Sequence, residues 1–287
     1  MTRRIRQRCF LLRPSPRTNQ LLAYVLAVVS RKWGVEVHAV TAMSNHWHAC
    51  LSDPHGSIVE FQRDCHQFIT RALNAQHGEF ESAWASEPTS RVECERPEDL
   101  IDKIAYTMAN PVEAGLVRYG HSWPGLRRAW PCKPHSVERP PKFFRGADVG
   151  GEWPEVAVLE LTRPPGNDEL SDEDLAAAIH AAIEEREAKF RAEHDAEGRP
   201  FLGRRKVLDQ PRHGRPRTRE PRFDISPKVA CRDKWRRIER LQANQLWWVD
   251  YREALARWRA GDRDVVFPAG TYKMRVVHGA RCAEVPG

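Results

Sequence analysis

Residues 35 to 52 read VEVHAVTAMSNHWHACLS, and the reading of this stretch decides the fold. The first nine residues are rich in β-branched and small apolar side chains, which predicts a strand. Ser44-Asn45 then supplies turn chemistry, and NHWHACLS returns as an antiparallel neighbour. Side chains two apart on a strand share a face, so His46, His48 and Cys50 point one way and Trp47, Ala49 and Leu51 the other. Two imidazoles on one face are half of a metal site. Taken alone, an HxH pair reads more readily as exposed or hydrogen-bonded strand histidines than as metal ligands.

Working outward, RCFLLRP at residues 8 to 14 predicts a preceding strand closed by Pro14 and Pro16. Leu21, Leu22, Val25, Val28 and Val29 recur at helical spacing, with Gly34 placed as a C-terminal cap. Ser57 followed by Glu60 predicts a capping box, opening a helix whose apolar side includes Ile58, Phe61, Phe68, Ile69 and Leu73. TSRVECE, residues 89 to 95, predicts a short strand. Pro97, Glu98 and Asp99 then open a third helix, expected to stop near Asn110 because Pro111 disfavours helical geometry in its predecessor. The order strand, helix, strand, strand, helix, strand, helix predicts an α+β domain over residues 1 to 146, an antiparallel sheet with helices mainly on one face.

On the third helix, Leu100, Ile101, Ile104, Ala105 and Met108 form the apolar side. Asp102, Tyr106 and Asn110 gather on the polar side, Tyr106 and Asn110 as an i, i+4 pair.

Residues 147 to 287 read as a mostly helical C-terminal extension. Residues 147 to 170 look like a linker, and 171 to 197 an acidic helix with Leu175, Ala178, Ile179, Ala182 and Ile183 in register. Residues 198 to 222 look irregular and Arg-rich. Residues 232 to 260 form a helical pattern in which Trp247 and Trp248 are expected in the core and Arg236, Arg237 and Arg240 interleave with Trp235.

The chain of 287 residues carries a net charge of +7, unevenly distributed. Residues 1 to 51 and 198 to 222 are basic and residues 152 to 197 acidic, so the Arg-rich block either contacts phosphate or serves the protein's own acidic helix. Seven cysteines form no CxxC pair and are expected as reduced thiols in a cytoplasm. No apolar run of about 18 residues supports a membrane span or cleaved signal.

MSNHWHACL at 43 to 51, DKIAYTMANPVEAGLV at 102 to 117 and SWP at 122 to 124 together resemble the IS200-like and REP-associated tyrosine transposases, members of the HUH endonucleases. The resemblance spans roughly residues 8 to 130. It implies a ferredoxin-like palm, Tyr106 as nucleophile, and His46, His48 and Asn110 as ligands of Mg2+ or Mn2+. It further implies single-stranded or hairpin DNA as substrate, cleaved through a 5′-phosphotyrosine intermediate, with the site completed within one chain or by exchange in a homodimer. Ser44 stands where the family usually has Pro. Two other functions use the same residues: a nucleic-acid-binding protein that does not cleave, and metal-dependent phosphodiester hydrolysis by water.

Overall fold

The computed structural model describes residues 1–143, 153–218 and 228–284. Its main sheet has four antiparallel strands in the order β1 (Thr2–Arg4), β3 (His46–Ser52), β2 (Glu36–Ala42) and β5 (Arg127–Ala129). Within it His48 is flanked by Thr2 on one side and Thr41 on the other. The β2–β3 ladder slips between Val37 and Ala39. That bulge breaks strict alternation, so Val37, Val40 and Ala42 all join one core while Ala39 joins the other.

The strand expected at residues 8 to 14 is absent. The first strand lies six residues earlier, and the chain then passes through a single 3-10 turn, Arg6–Arg8. Phe10 donates its amide to Gly214 and Leu12 to Ser44, both outside a ladder, while Leu11 and Leu12 are buried. The apolar run is core, but its backbone is spent on turns.

Helix α1 (Pro16–Trp33) begins at Ser15, whose hydroxyl accepts from the Thr18 amide at 3.0 Å, and ends at Gly34 in the left-handed region at φ +65°. Helix α2 (Ile58–His77) is capped differently from expectation. The Asp53 carboxylate accepts from the amides of Ser57 and Ile58, each at 2.8 Å, and the Ser57 hydroxyl donates to the Trp33 carbonyl instead. Glu60 pairs with Arg275 at 2.9 Å.

TSRVECE yields β4 (Glu93–Cys94), which pairs in parallel with β8 (Val229–Ala230), while its Ser90 forms an isolated antiparallel bridge to Thr2 at the edge of the main sheet. Helix α3 (Pro97–Glu113) runs through Pro111 rather than stopping before it. Pro111 and Val112 are buried, and the Ala114 amide still reaches the Asn110 carbonyl at 3.0 Å. One missing amide in the last turn is outweighed by that burial.

Helices cover both faces of the sheet, contrary to the one-face expectation. α1 and α2 pack on the side of Val40, Ala42, Trp47 and Ala49, whereas α3 packs on the side of Ala39 and Cys50. A second hairpin, β6 (His135–Glu138) with β7 (Val156–Leu159), lies against α1. Part of the expected linker is therefore a strand with Leu159 and Leu161 buried in the first core, while residues 147 to 152 lie outside the described residues. Helix α4 (Asp172–Ala196), capped by Ser171, buries Leu175, Ile179 and Ile183 against Leu100, Ile104 and Met108 of α3.

The Arg-rich segment contains a short helix, α5 (Arg204–Leu208), anchored by the buried Val207. Arg212 pairs with Glu79 at 3.2 Å and Arg199 with Glu197, while Arg204, Arg205, Arg215 and Arg217 are exposed. Residues 219 to 222 lie outside the described residues. Helix α6 (Lys234–Arg259) and the short α7 (Tyr272–Val276) enclose a small core of Ala254, Val265, Phe267 and Met274. The core expectation is not met: Trp247 is half-buried and stacked on Tyr251 at the edge of this core, and Trp248 is 52% exposed. Among the described residues no helix is long and apolar enough to cross a membrane.

Candidate active site

β3 and α3 bring the sequence-selected residues together. The His46 and His48 rings meet edge to face with centroids 4.7 Å apart, and the Tyr106 ring lies 5.6 Å from that of His48. Asn110, one turn beyond Tyr106, is buried, and its side-chain amide is close enough to act on the pKa of both His46 and Tyr106. The third side chain on the histidine face, Cys50, lies under α3 with its Sγ 3.5 Å from the Thr107 hydroxyl. It is packing, set apart from the imidazoles.

Each histidine has one ring nitrogen already engaged. His46 Nδ1 lies 2.7 Å from the Asn45 side-chain oxygen, and His48 Nδ1 lies 2.7 Å from the Thr2 hydroxyl. With Nδ1 donating to Asn45, the lone pair of His46 is on Nε2. His48 Nε2 is buried without a hydrogen-bond partner. An orphaned imidazole nitrogen is costly unless something else binds it, and a ligated histidine characteristically has its other nitrogen engaged, as both are here.

Burial keeps both rings neutral. Desolvation, followed by the Arg4 charge, pulls the His46 pKa down to about 4. Desolvation and then His46 itself hold His48 well below the usual imidazole range. Neutral imidazoles are the form that ligates a cation. Two imidazoles and an amide fit a divalent ion with open positions. Among the described residues no group of three or more His, Cys, Asp or Glu is placed to hold a metal.

Desolvation raises the Tyr106 phenol above its ordinary range, with Glu113 adding to the shift, while the Asn110 amide and the charges of Arg4 and Arg186 oppose it. Lys103 Nζ and Arg186 Cζ stand 5.6 and 5.8 Å from the ring centroid. Other tyrosines are less suited. Tyr24 is fully buried, donates to the Pro154 carbonyl and has its pKa pushed up to about 12 by burial. Tyr119 packs under Arg191 and Tyr251 against Trp247, both away from the histidines.

Thr2, Asn45, Lys103 and Arg186 were not singled out from the sequence. Asn45 adjoins His46 and was legible as a neighbour, but Thr2 is brought in by strand pairing and Arg186 by the docking of α4. Compared with family models, with curated proteins and with solved structures, the chain matches none of them.

Proposed function

We propose that the protein is a metal-dependent tyrosine endonuclease of the HUH type acting on single-stranded DNA. The observation that carries this reading is the convergence of His46, His48, Asn110 and Tyr106 from two distant elements, with one imidazole nitrogen buried and unpartnered. The adjacency of β1, β3 and β2 supports a ferredoxin-like palm as the frame. The sequence resemblance supports the same assignment.

A divalent cation held by His46, His48 and Asn110 would polarise a phosphoryl oxygen of the scissile diester. Thr2 and Asn45 fix the two imidazoles, and the Asn110 amide also acts on the phenol. Tyr106 Oη attacks phosphorus, forming the O–P bond as the bond to the 3′ oxygen breaks. The phenol proton is balanced by the one the departing 3′-hydroxyl carries. The products are a 5′-phosphotyrosine and a free 3′ end, which can be rejoined by the reverse reaction.

The test is to incubate the protein with Mn2+ and end-labelled single-stranded DNA and look for a denaturant-resistant adduct. Mn2+ is chosen because nitrogen ligands suit it better than Mg2+. The adduct is expected with the native chain and absent from Tyr106→Phe. An adduct that persists in Tyr106→Phe, or maps to another tyrosine, overturns the reading.

A further inference from the structure

Asp102 lies one turn before Tyr106 on α3, and its Oδ1 receives two guanidinium groups from the chain beyond residue 146. Arg186 of α4 donates at 2.6 Å and Arg232, just before α6, at 3.3 Å. Arg186 also stands over the Tyr106 ring, as does Lys103. Two cations thus stand over the Tyr106 ring, and a third, Arg232, reaches the carboxylate one turn before it. The facing acids are Asp102 and Glu113, and burial pushes the Glu113 carboxyl upward.

Both arginines have fixed supports. Arg186 follows Ile179 and Ile183, which lock α4 onto α3, and its side chain is about a quarter exposed, at 26%. The Arg232 amide donates to Asp99 Oδ1 at 3.1 Å, while its side chain is 76% exposed. A guanidinium has five N–H donors, and one shared carboxylate oxygen occupies few of them. Asp102 is itself partly exposed and can regain water when displaced. Exchanging an Arg–carboxylate contact for an Arg–phosphate contact is then a small step, with the polyanion bringing counterion release.

We propose that Arg186, Arg232 and Lys103 form a phosphodiester-binding clamp beside Tyr106, with Asp102 holding the two arginines in place until a nucleic-acid backbone displaces it. The clamp's purpose rests on the nicking reading, but its binding is measurable without cleavage. It also gives α4 and the segment before α6 a role in the site.

The experiment is fluorescence anisotropy with a short labelled single-stranded oligonucleotide in EDTA, between about 50 and 200 mM salt. Arg186→Gln with Arg232→Gln is expected to weaken binding about tenfold and flatten the log–log salt slope by about 1.4, two phosphate contacts on a single strand. Asp102→Asn is expected to tighten binding about threefold by freeing both guanidiniums, a gain that a purely structural Asp102 would not give. Should the Arg186 variant fail to fold, the exposed Arg232→Gln alone is expected to flatten the slope by about 0.7. Wild-type affinity and slope in the folded arginine variants, or Asp102→Asn binding no tighter, overturns the clamp. Native protein that binds this way but forms no adduct upholds the clamp and removes the nicking reading; unchanged binding in variants that still form adduct removes the clamp alone.

Discussion

The Thr2 hydroxyl lies 2.7 Å from His48 Nδ1, so the other nitrogen of that ring, buried and without a partner, is the one left to bind a ligand. Thr2 and His48 are 46 residues apart and directly opposed in the β1–β3 ladder. Thr2→Val keeps the branched shape and deletes the hydroxyl. It is expected to lower Mn2+ affinity about tenfold, the usual cost of losing a group that orients a metal ligand. Calorimetric titration with Mn2+ checks this, and an unaltered affinity would show that the contact does not orient the ring.

His46→Ala and His48→Ala are each expected to abolish adduct formation while oligonucleotide binding in EDTA stays within about threefold of the native chain. Chelation of the metal should have the same effect on the native protein. Full cleavage by either variant in Mn2+ would show that the imidazoles are not the metal site.

Glu187 of α4 accepts from Arg127 at 2.8 Å and from the Gly120 amide at 3.0 Å, while Arg127 donates to the Met108 carbonyl. This nearly buried pair ties α4 to β5 and to the helix carrying Tyr106. Glu187→Ala leaves the guanidinium without its counter-charge and is expected to destabilise the fold by about 3 kcal/mol or more. A denaturation midpoint equal to that of the native protein would contradict this.

His66 packs between Trp47 and Trp84, and burial followed by the Arg3 charge lowers its pKa to about 3. The unfolded chain takes up a proton near the usual 6.5 that the folded chain refuses, so stability falls as pH drops from about 6.5 towards 3. With one edge of the ring near solvent, the loss by pH 5 should be on the order of 1 kcal/mol. His66→Phe is expected to remove that part of the acid sensitivity, seen as a shallower fall of the thermal midpoint between neutral pH and pH 5. An identical fall in both proteins would place the acid sensitivity elsewhere.

Much of the site was legible because its signals are local. HxH on a β-branched strand, and Tyr106 four residues before Asn110 on an amphipathic helix, fix which side chains share a face. Gly34 and Pro97 mark helix ends through constraints acting within one turn. The structure departs from the local signals where these compete with packing. Leu11 and Leu12 looked like strand residues because burial is what their side chains require, yet the backbone could satisfy that burial in turns. Pro111 looked like a stop, but the helix gains enough from burying it to continue.

The sequence by itself determined the periodicities, the alternating faces of β3 and the polar stripe of α3, since these follow from backbone geometry at short range. Only the tertiary structure decided that the two faces meet, that Thr2 rather than Cys50 attends His48, and that α4 brings Arg186 to Tyr106. Such pairings join residues tens of positions apart. They are selected by the shared burial of sheet and helices, which no single stretch of the chain encodes.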